Sequence, residues 1–289
     1  MPVSARRTGG AESGPEGKRD REYKVMLALE LILAAVVGLS VGSFLNVCID
    51  RIPMRQSLVR PPSHCDDCGT RLGLLDLVPV VSYICLRGKC RHCGAAIPKR
   101  VLLVEMATAA LFVLFTWYFG VGLQLGIALV YACLLLVIFV VDLEHLIIPN
   151  KVVYPAMILA LVFSGFWGGF EGFWPNIGAV NALLGGAIGL TLMLLPYLVF
   201  PNGLGMGDVK LAAFMGLACG FPLIFVALML GILYGGLVAI FLLLFGVKGR
   251  KDAIPFGPFL AGGAVLTLLW GSGILDMYEA AMISITELL

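Results

Sequence analysis

Apolar residues run almost without interruption for long stretches, broken by short polar or glycine-rich breaks. At about 20 apolar residues per bilayer crossing, this pattern predicts helices near 25–47, 101–119, 122–141, 151–169, 179–200, 209–220, 223–246 and 254–272. The sixth is short, and Gly220-Phe221-Pro222 behind it reads as a turn or a kink. Residues 1–24 are rich in Gly, Glu, Arg and Lys without apolar periodicity, and read as a disordered polar tail. Gly38 and Ser40 imitate a leader-cleavage pattern, but the run 25–47 is longer than a signal-peptide core, so it is read as a retained first membrane helix. Residues 48–100 form a polar loop and 101–275 a second transmembrane unit. Beyond 272 the chain is half polar and unassigned, with a C-terminal tail counted as 276–289.

Composition turns this pattern into a class. Of 289 residues, 60% are hydrophobic and 13% charged, and the mean hydropathy is +0.99. A soluble domain would be roughly 45–50% apolar and 25% charged. The expected fold is therefore all-α, a polytopic integral membrane protein of about eight transmembrane helices with a small cytoplasmic zinc-ribbon-like loop. The 36 glycines suit membrane helices that pack through small residues.

The net charge of +2 matters less than where the charges fall. The loop carries Arg51, Arg55, Arg60, Arg71, Arg87, Lys89, Arg91, Lys99 and Arg100. If it is cytoplasmic, alternating crossings place Lys151, Lys210 and Lys248-Gly249-Arg250-Lys251 on the same side, as positive-inside topology requires. The opposite connections, Gly120-Val121-Gly122, residues 170–176 and Gly220-Phe221-Pro222, carry no Lys or Arg. The basic N-terminal tail dissents, since it falls outside. The lipid bilayer is the expected partner, and no nucleic-acid partner is expected.

Cys65-x-x-Cys68 and Cys90-x-x-Cys93 lie in this loop. Two CxxC knuckles offer four thiolates to a tetrahedral Zn²⁺, a structural site with no open position. Gly69 and Gly94, one behind each knuckle, suit the tight turns required. Disulfides are the plainer alternative, but a cytoplasmic loop is reducing. His64 and His92 are read as flanking the site rather than ligating, and Cys48, Cys133 and Cys219 as packing residues.

Two aspartates carry the candidate chemistry. Asp142 closes an apolar run and is followed by Glu144, His145 and Ile148-Pro149-Asn150; Asp208 follows the stretch 202–207, ending Gly205-Met206-Gly207. Each has a bland reading: Asp142 as a hydrated interfacial turn, Asp208 as a helix N-cap. Ionisable groups near hydrocarbon depth are nonetheless functional candidates. Two that meet there share a proton, which is the acid/base asymmetry of an aspartic protease. Alternating glycines before Asp208 are expected to admit a neighbouring helix or an extended peptide, and Lys210 to neutralise charge or snorkel. Glu144 and His145 rank below the pair. Glu105, inside an apolar run, either pairs with Arg100 or lines a polar site.

Taken in order, these fragments resemble the type IV prepilin peptidase family, within the GxGD intramembrane aspartyl proteases. Gly42-Ser43-Phe44-Leu45-Asn46-Val47 with Arg51-Ile52-Pro53 is similar to its opening signature. The knuckles bracket Pro79-Val80-Val81-Ser82-Tyr83 and Arg87-Gly88-Lys89, as in long zinc-bearing members. Asp142 with Ile148-Pro149-Asn150, and Gly205-Met206-Gly207-Asp208-Val209-Lys210, are similar to the two catalytic motifs; Asn150 stands where the family often has Asp. The resemblance implies a multi-pass enzyme of the bacterial plasma membrane. It would remove the basic leader from prepilins and pseudopilins at the cytoplasmic face, with Asp142 and Asp208 catalytic and Gly205, Gly207 and Lys210 supporting them. It further implies N-methylation of the new N-terminus with S-adenosylmethionine, and Gly88 resembles a glycine implicated in methyl transfer. The expected clients belong to type IV pilus or protein-secretion systems.

Between the carboxyls, the start of a helix at Asp208 is expected to favour its charged form and leave Asp142 holding the shared proton. The competing readings are a presenilin-like intramembrane protease, a proton-coupled transporter with a structural zinc loop, and a non-catalytic zinc-bearing scaffold.

Overall fold

The computed structural model describes residues 15–166, 178–199, 204–246, 249 and 254–288. The calls on residues 1–14, 170–176, 201–203 and Lys248, Arg250 and Lys251 lie outside these. The chain enters on α1 (Pro15–Arg51) and crosses the cysteine loop, which holds a 3₁₀ turn (Leu74–Leu77) and a short helix α2 (Val81–Cys85). It then continues through α3 (Lys99–Phe119), α4 (Leu123–His145), α5 (Asn150–Phe163), α6 (Gly178–Val199), α7 (Met206–Cys219), α8 (Leu223–Leu244) and α9 (Gly257–Leu288).

Six of these helices are long and apolar enough to cross a membrane: α1, α3, α4, α6, α8 and α9. The described residues hold eight helices of 14 residues or more, of which six have spanning length, so length does not confirm the expected count of eight crossings. Helices α5 and α7 have 14 residues each. That is about 21 Å at 1.5 Å per residue, short of a hydrocarbon core of about 30 Å. Helix α7 ends because Gly220 adopts φ 75° and Pro222 supplies no amide.

Both chain ends are more helical than expected. Residues 15–24, assigned to a disordered tail, form the first turns of α1. Polarity keeps them out of lipid but does not prevent helix formation: Lys and Glu are good helix formers, and Asp20 and Lys24 stand four residues apart. The C-terminal tail likewise continues α9 to Leu288, since nothing after Pro258 interrupts it as a second proline would.

Close packing through small residues organises the bundle. Between α6 and α7, a Cβ on Gly185 or Gly189 would collide with the carbonyl of Gly216 or Ala212. Between α1 and α3, a Cβ on Gly38 would lie 2.8 Å from Ala109 Cα; on Gly42, 2.8 Å from Glu105 Cα. Helix α7 is the centre, with Leu211, Ala212, Phe214 and Met215 fully buried. Tyr131 of α4 stacks edge-on against Phe163 and Phe214 at 6.0 and 6.1 Å. Large apolar side chains such as Leu33, Ile158, Leu184 and Leu237 face outward, as lipid-facing residues do.

The α6–α7 crossing yields a first prediction. Gly216→Val drives a side chain into the Gly185 backbone and should destabilise the protein by about 1–3 kcal/mol. Gly236→Ala, whose Cβ meets nothing within 4 Å, should be neutral. Thermal unfolding in detergent separates the two.

Candidate active site and metal centre

Successive helices run up and down, so the loop after α1, the α4–α5 corner, the start of α7 and the start of α9 all gather at one end of the bundle. Asp142 occupies the last turn of α4, and Asp208 the first turn of α7. Both are buried, with 5% and 8% of their surfaces exposed. Ile148 packs against Gly207, next to Asp208, and against Gly257, whose amide holds Asp142, so both aspartates border one side chain.

Each carboxyl is anchored the same way. Asp208 Oδ2 accepts the Gly205 N–H at 3.2 Å, within the N-terminal cap of α7. Asp142 Oδ2 accepts the Gly257 N–H at 3.0 Å, at the start of α9. The cap reading and the paired reading of Asp208 are thus compatible. The expected asymmetry loses its premise, because a helix N-terminus faces Asp142 as well as Asp208. The α4–α5 corner turns on Leu146, at φ 55°, whose N–H bonds the Asp142 carbonyl at 2.9 Å.

Neighbouring residues fill roles the sequence left open. Ile148 is a wedge: a Cβ on Gly207 would lie 3.0 Å from it, and one on Gly257 3.2 Å. Gly207 therefore gives room to Ile148. Lys210 Nζ donates to Asn150 Oδ1 at 3.0 Å and lies 5.4 Å over the Tyr154 ring, linking the second motif to the first. Arg100 bridges Asp50 of α1 at 2.6 Å and Glu144 of α4 at 3.0 Å. It makes no ion pair with Glu105, so that alternative falls. Gly257 had escaped notice; its signal was Pro258 beside it, since proline favours a helix's first turn and so marks exposed amides.

The two knuckles of the cysteine loop repeat one backbone pattern. Gly69 and Gly94, at φ 66° and 74°, donate to the carbonyls of Cys65 and Cys90. Cys65 and Cys90 in turn donate to Thr70 and Ala95, closing small antiparallel bridges at His64–Arg71 and Lys89–Ala96. The four sulfurs lie within 4.8 Å of one another, with Cys65 and Cys93 Sγ 3.8 Å apart. Bonds of about 2.3 Å to a tetrahedral Zn²⁺ put sulfurs about 3.8 Å apart, so the group can hold a metal ion. Thr70, through its side chain and then its backbone, lowers the Cys68 thiol to about 6, favouring the thiolate a metal needs. His64 Nδ1 lies 3.0 Å from the Pro62 carbonyl oxygen and stays outside the sulfur group. Asp76 joins the 3₁₀ turn to the second knuckle through Arg91 at 2.8 Å, which holds its carboxyl below the usual range.

Comparison with known proteins assigns both halves of the chain. The bacterial peptidase A24 N-terminal domain matches residues 36–119, and the type IV leader peptidase family matches residues 129–240. A prepilin leader peptidase/N-methyltransferase of Pseudomonas aeruginosa is 32% identical over 286 residues, covering 89% of this chain and 96% of that protein. One of Bacillus subtilis is 30% identical over 251 residues, covering 86% and 97%. One of Dichelobacter nodosus is 33% identical over 289 residues, covering 86% and 95%. No solved structure matches.

The sulfur cluster makes its own prediction. Purified protein should carry about one zinc per chain, and Cys65→Ser or Cys90→Ser should lose it. Elemental analysis of protein prepared without chelator reads the outcome.

Proposed function

The chain belongs to the type IV leader peptidase family, and from that premise we propose that it removes the basic leader of prepilins and pseudopilins with Asp142 and Asp208 as its catalytic pair. The observation that carries this reading is the burial of two carboxyls around Ile148, each held through one oxygen at a helix N-terminus. That anchoring leaves the second oxygen of each for a shared proton and a water. The ionised partner takes a proton from the water as it attacks the scissile carbonyl, and the neutral partner protonates the carbonyl oxygen. No acyl-enzyme forms, and the pair titrates jointly.

Gly205 serves this pair as the amide that orients Asp208, and Gly207 as the gap that seats Ile148 beneath it. Lys210 holds Asn150, so the α4–α5 corner and the start of α7 move as one body. A prepilin lies with its apolar helix in lipid and its leader in the cytosol, which brings the scissile bond to the end of the bundle where the aspartates stand. The enzyme sits in the bacterial plasma membrane with that end, and the cysteine loop, toward the cytoplasm. Neither a transporter nor a scaffold accounts for the family match, and the paired knuckles separate the chain from presenilin-like proteases.

In the cysteine loop, Zn²⁺ held by Cys65, Cys68, Cys90 and Cys93 supplies structure alone. Methylation of the new N-terminus is the second activity, named in the relatives. S-adenosylmethionine supplies the methyl group as an electrophile when bound. Gly88 supports a role of the loop in this step. At φ 68° its backbone lies against Tyr83, whose ring a Cβ would approach to 3.0 Å.

Purified protein mixed with a prepilin, with products followed by mass spectrometry, tests both activities. Asp142→Asn and Asp208→Asn should each lower cleavage about a thousandfold, within the range of general acid–base catalysis, and leave the protein folded. A leader still released at near the normal rate by either variant overturns the pair. Gly88→Ala should leave cleavage intact and reduce the added methyl at least about tenfold, as a strained, crowded φ > 0 position predicts.

A further inference from the structure

Besides the two aspartates, one more carboxyl is buried among the described residues. Glu105 lies inside α3, 4% exposed, in a segment apolar enough to cross a membrane. Such a group persists only with strong partners. Arg100, one and a half turns before it, is engaged with Asp50 and Glu144. Glu105 Oε2 instead accepts the N–H of Val80, 25 residues earlier in the cysteine loop, at 2.7 Å. Helix α1 packs close at this level, because Gly42 lies against the Glu105 backbone.

Val80 is the unusual end of this bond. It sits at φ 61° and ψ −50°, a region that a β-branched residue occupies only when its surroundings enforce it. It is also the N-cap of α2. Helix α2 leads through Tyr83 and Gly88 into Cys90, the first sulfur of the second knuckle. The strained residue, the buried acceptor and the start of the metal-bearing segment coincide in one hydrogen bond.

We propose that Glu105 is a positioning residue that seats the cysteine loop on the membrane helices, by holding the Val80 amide and so fixing where α2, Tyr83 and Gly88 stand. Loss of the Glu105 acceptor would leave Val80 free to relax from its strained conformation. The bond instead couples the α1–α3 pair to the loop. Its functional consequence rests on the loop reading of methyl transfer given above; the docking itself does not.

Hydrogen exchange over residues 74–90, measured on the full zinc-loaded protein in detergent, tests the docking. Glu105→Ala should speed exchange of the Val80 amide about tenfold or more, the scale of a lost bond to a charged acceptor. Glu105→Gln keeps an acceptor oxygen and should stay near the wild type. Glu105→Leu removes the acceptor but keeps a side chain of similar size suited to a membrane helix. It should reproduce the Glu105→Ala effect even if that variant does not fold. Zinc content and prepilin cleavage should stay within about twofold in every variant that folds, while methylation falls in Glu105→Ala and Glu105→Leu. Unchanged exchange in both of those variants overturns the proposal, as does equal loss in Glu105→Gln. A wild-type protein that never methylates overturns the methyl-transfer reading, and the exchange result still decides the docking.

Discussion

A carboxyl removed from water needs donors, and in this fold the donors come from the ends of helices. Asp142 takes the Gly257 amide and Asp208 the Gly205 amide. Those two bonds decide much of the rest. They require α4 to stop where α9 starts, and α7 to begin beside both. Helix α7 then turns at Gly220 after 14 residues. The glycines around the site serve this convergence: Gly207 and Gly257 both give way to Ile148.

Local chemistry was readable in the chain, and partnership was not. CxxC spacing specifies a knuckle because its turn closes over four residues, and the paired knuckles do bring four sulfurs together. The apolar runs marked the helices because lipid enforces length. Where a polar segment meets water, that enforcement ends: residues 15–24 and 276–288 are helical for reasons of propensity that hydropathy does not register. Glu105 and Arg100 show the same limit. Five positions apart, they invited pairing, yet each reaches across the fold, to Val80 in one case and to Asp50 and Glu144 in the other. Such bonds span 25 to 50 residues, and no periodicity encodes them.

Arg100 also resolves an electrostatic difficulty. Asp50 and Glu144 lie at the C-terminal ends of α1 and α4, where the helix dipole disfavours negative charge, and Arg100 lies at the N-terminal end of α3, where it disfavours positive charge. Bringing the three together offsets all of these penalties in one cluster, only 18% exposed at the arginine. It ties the N-terminal helix pair to the helix that carries Asp142. The two parts of the chain matched by separate families are thus bolted at the level of the aspartates.

The amide that Gly257 provides arrives late. A ribosome delivers Asp142 and Asp208 to the bilayer well before the final helix emerges. Until that helix docks, one of the two acids has no main-chain partner of its mature kind. The growing polypeptide therefore carries an unfinished centre past every earlier stage of insertion, and its last segment, far from the motifs that define the family, completes it.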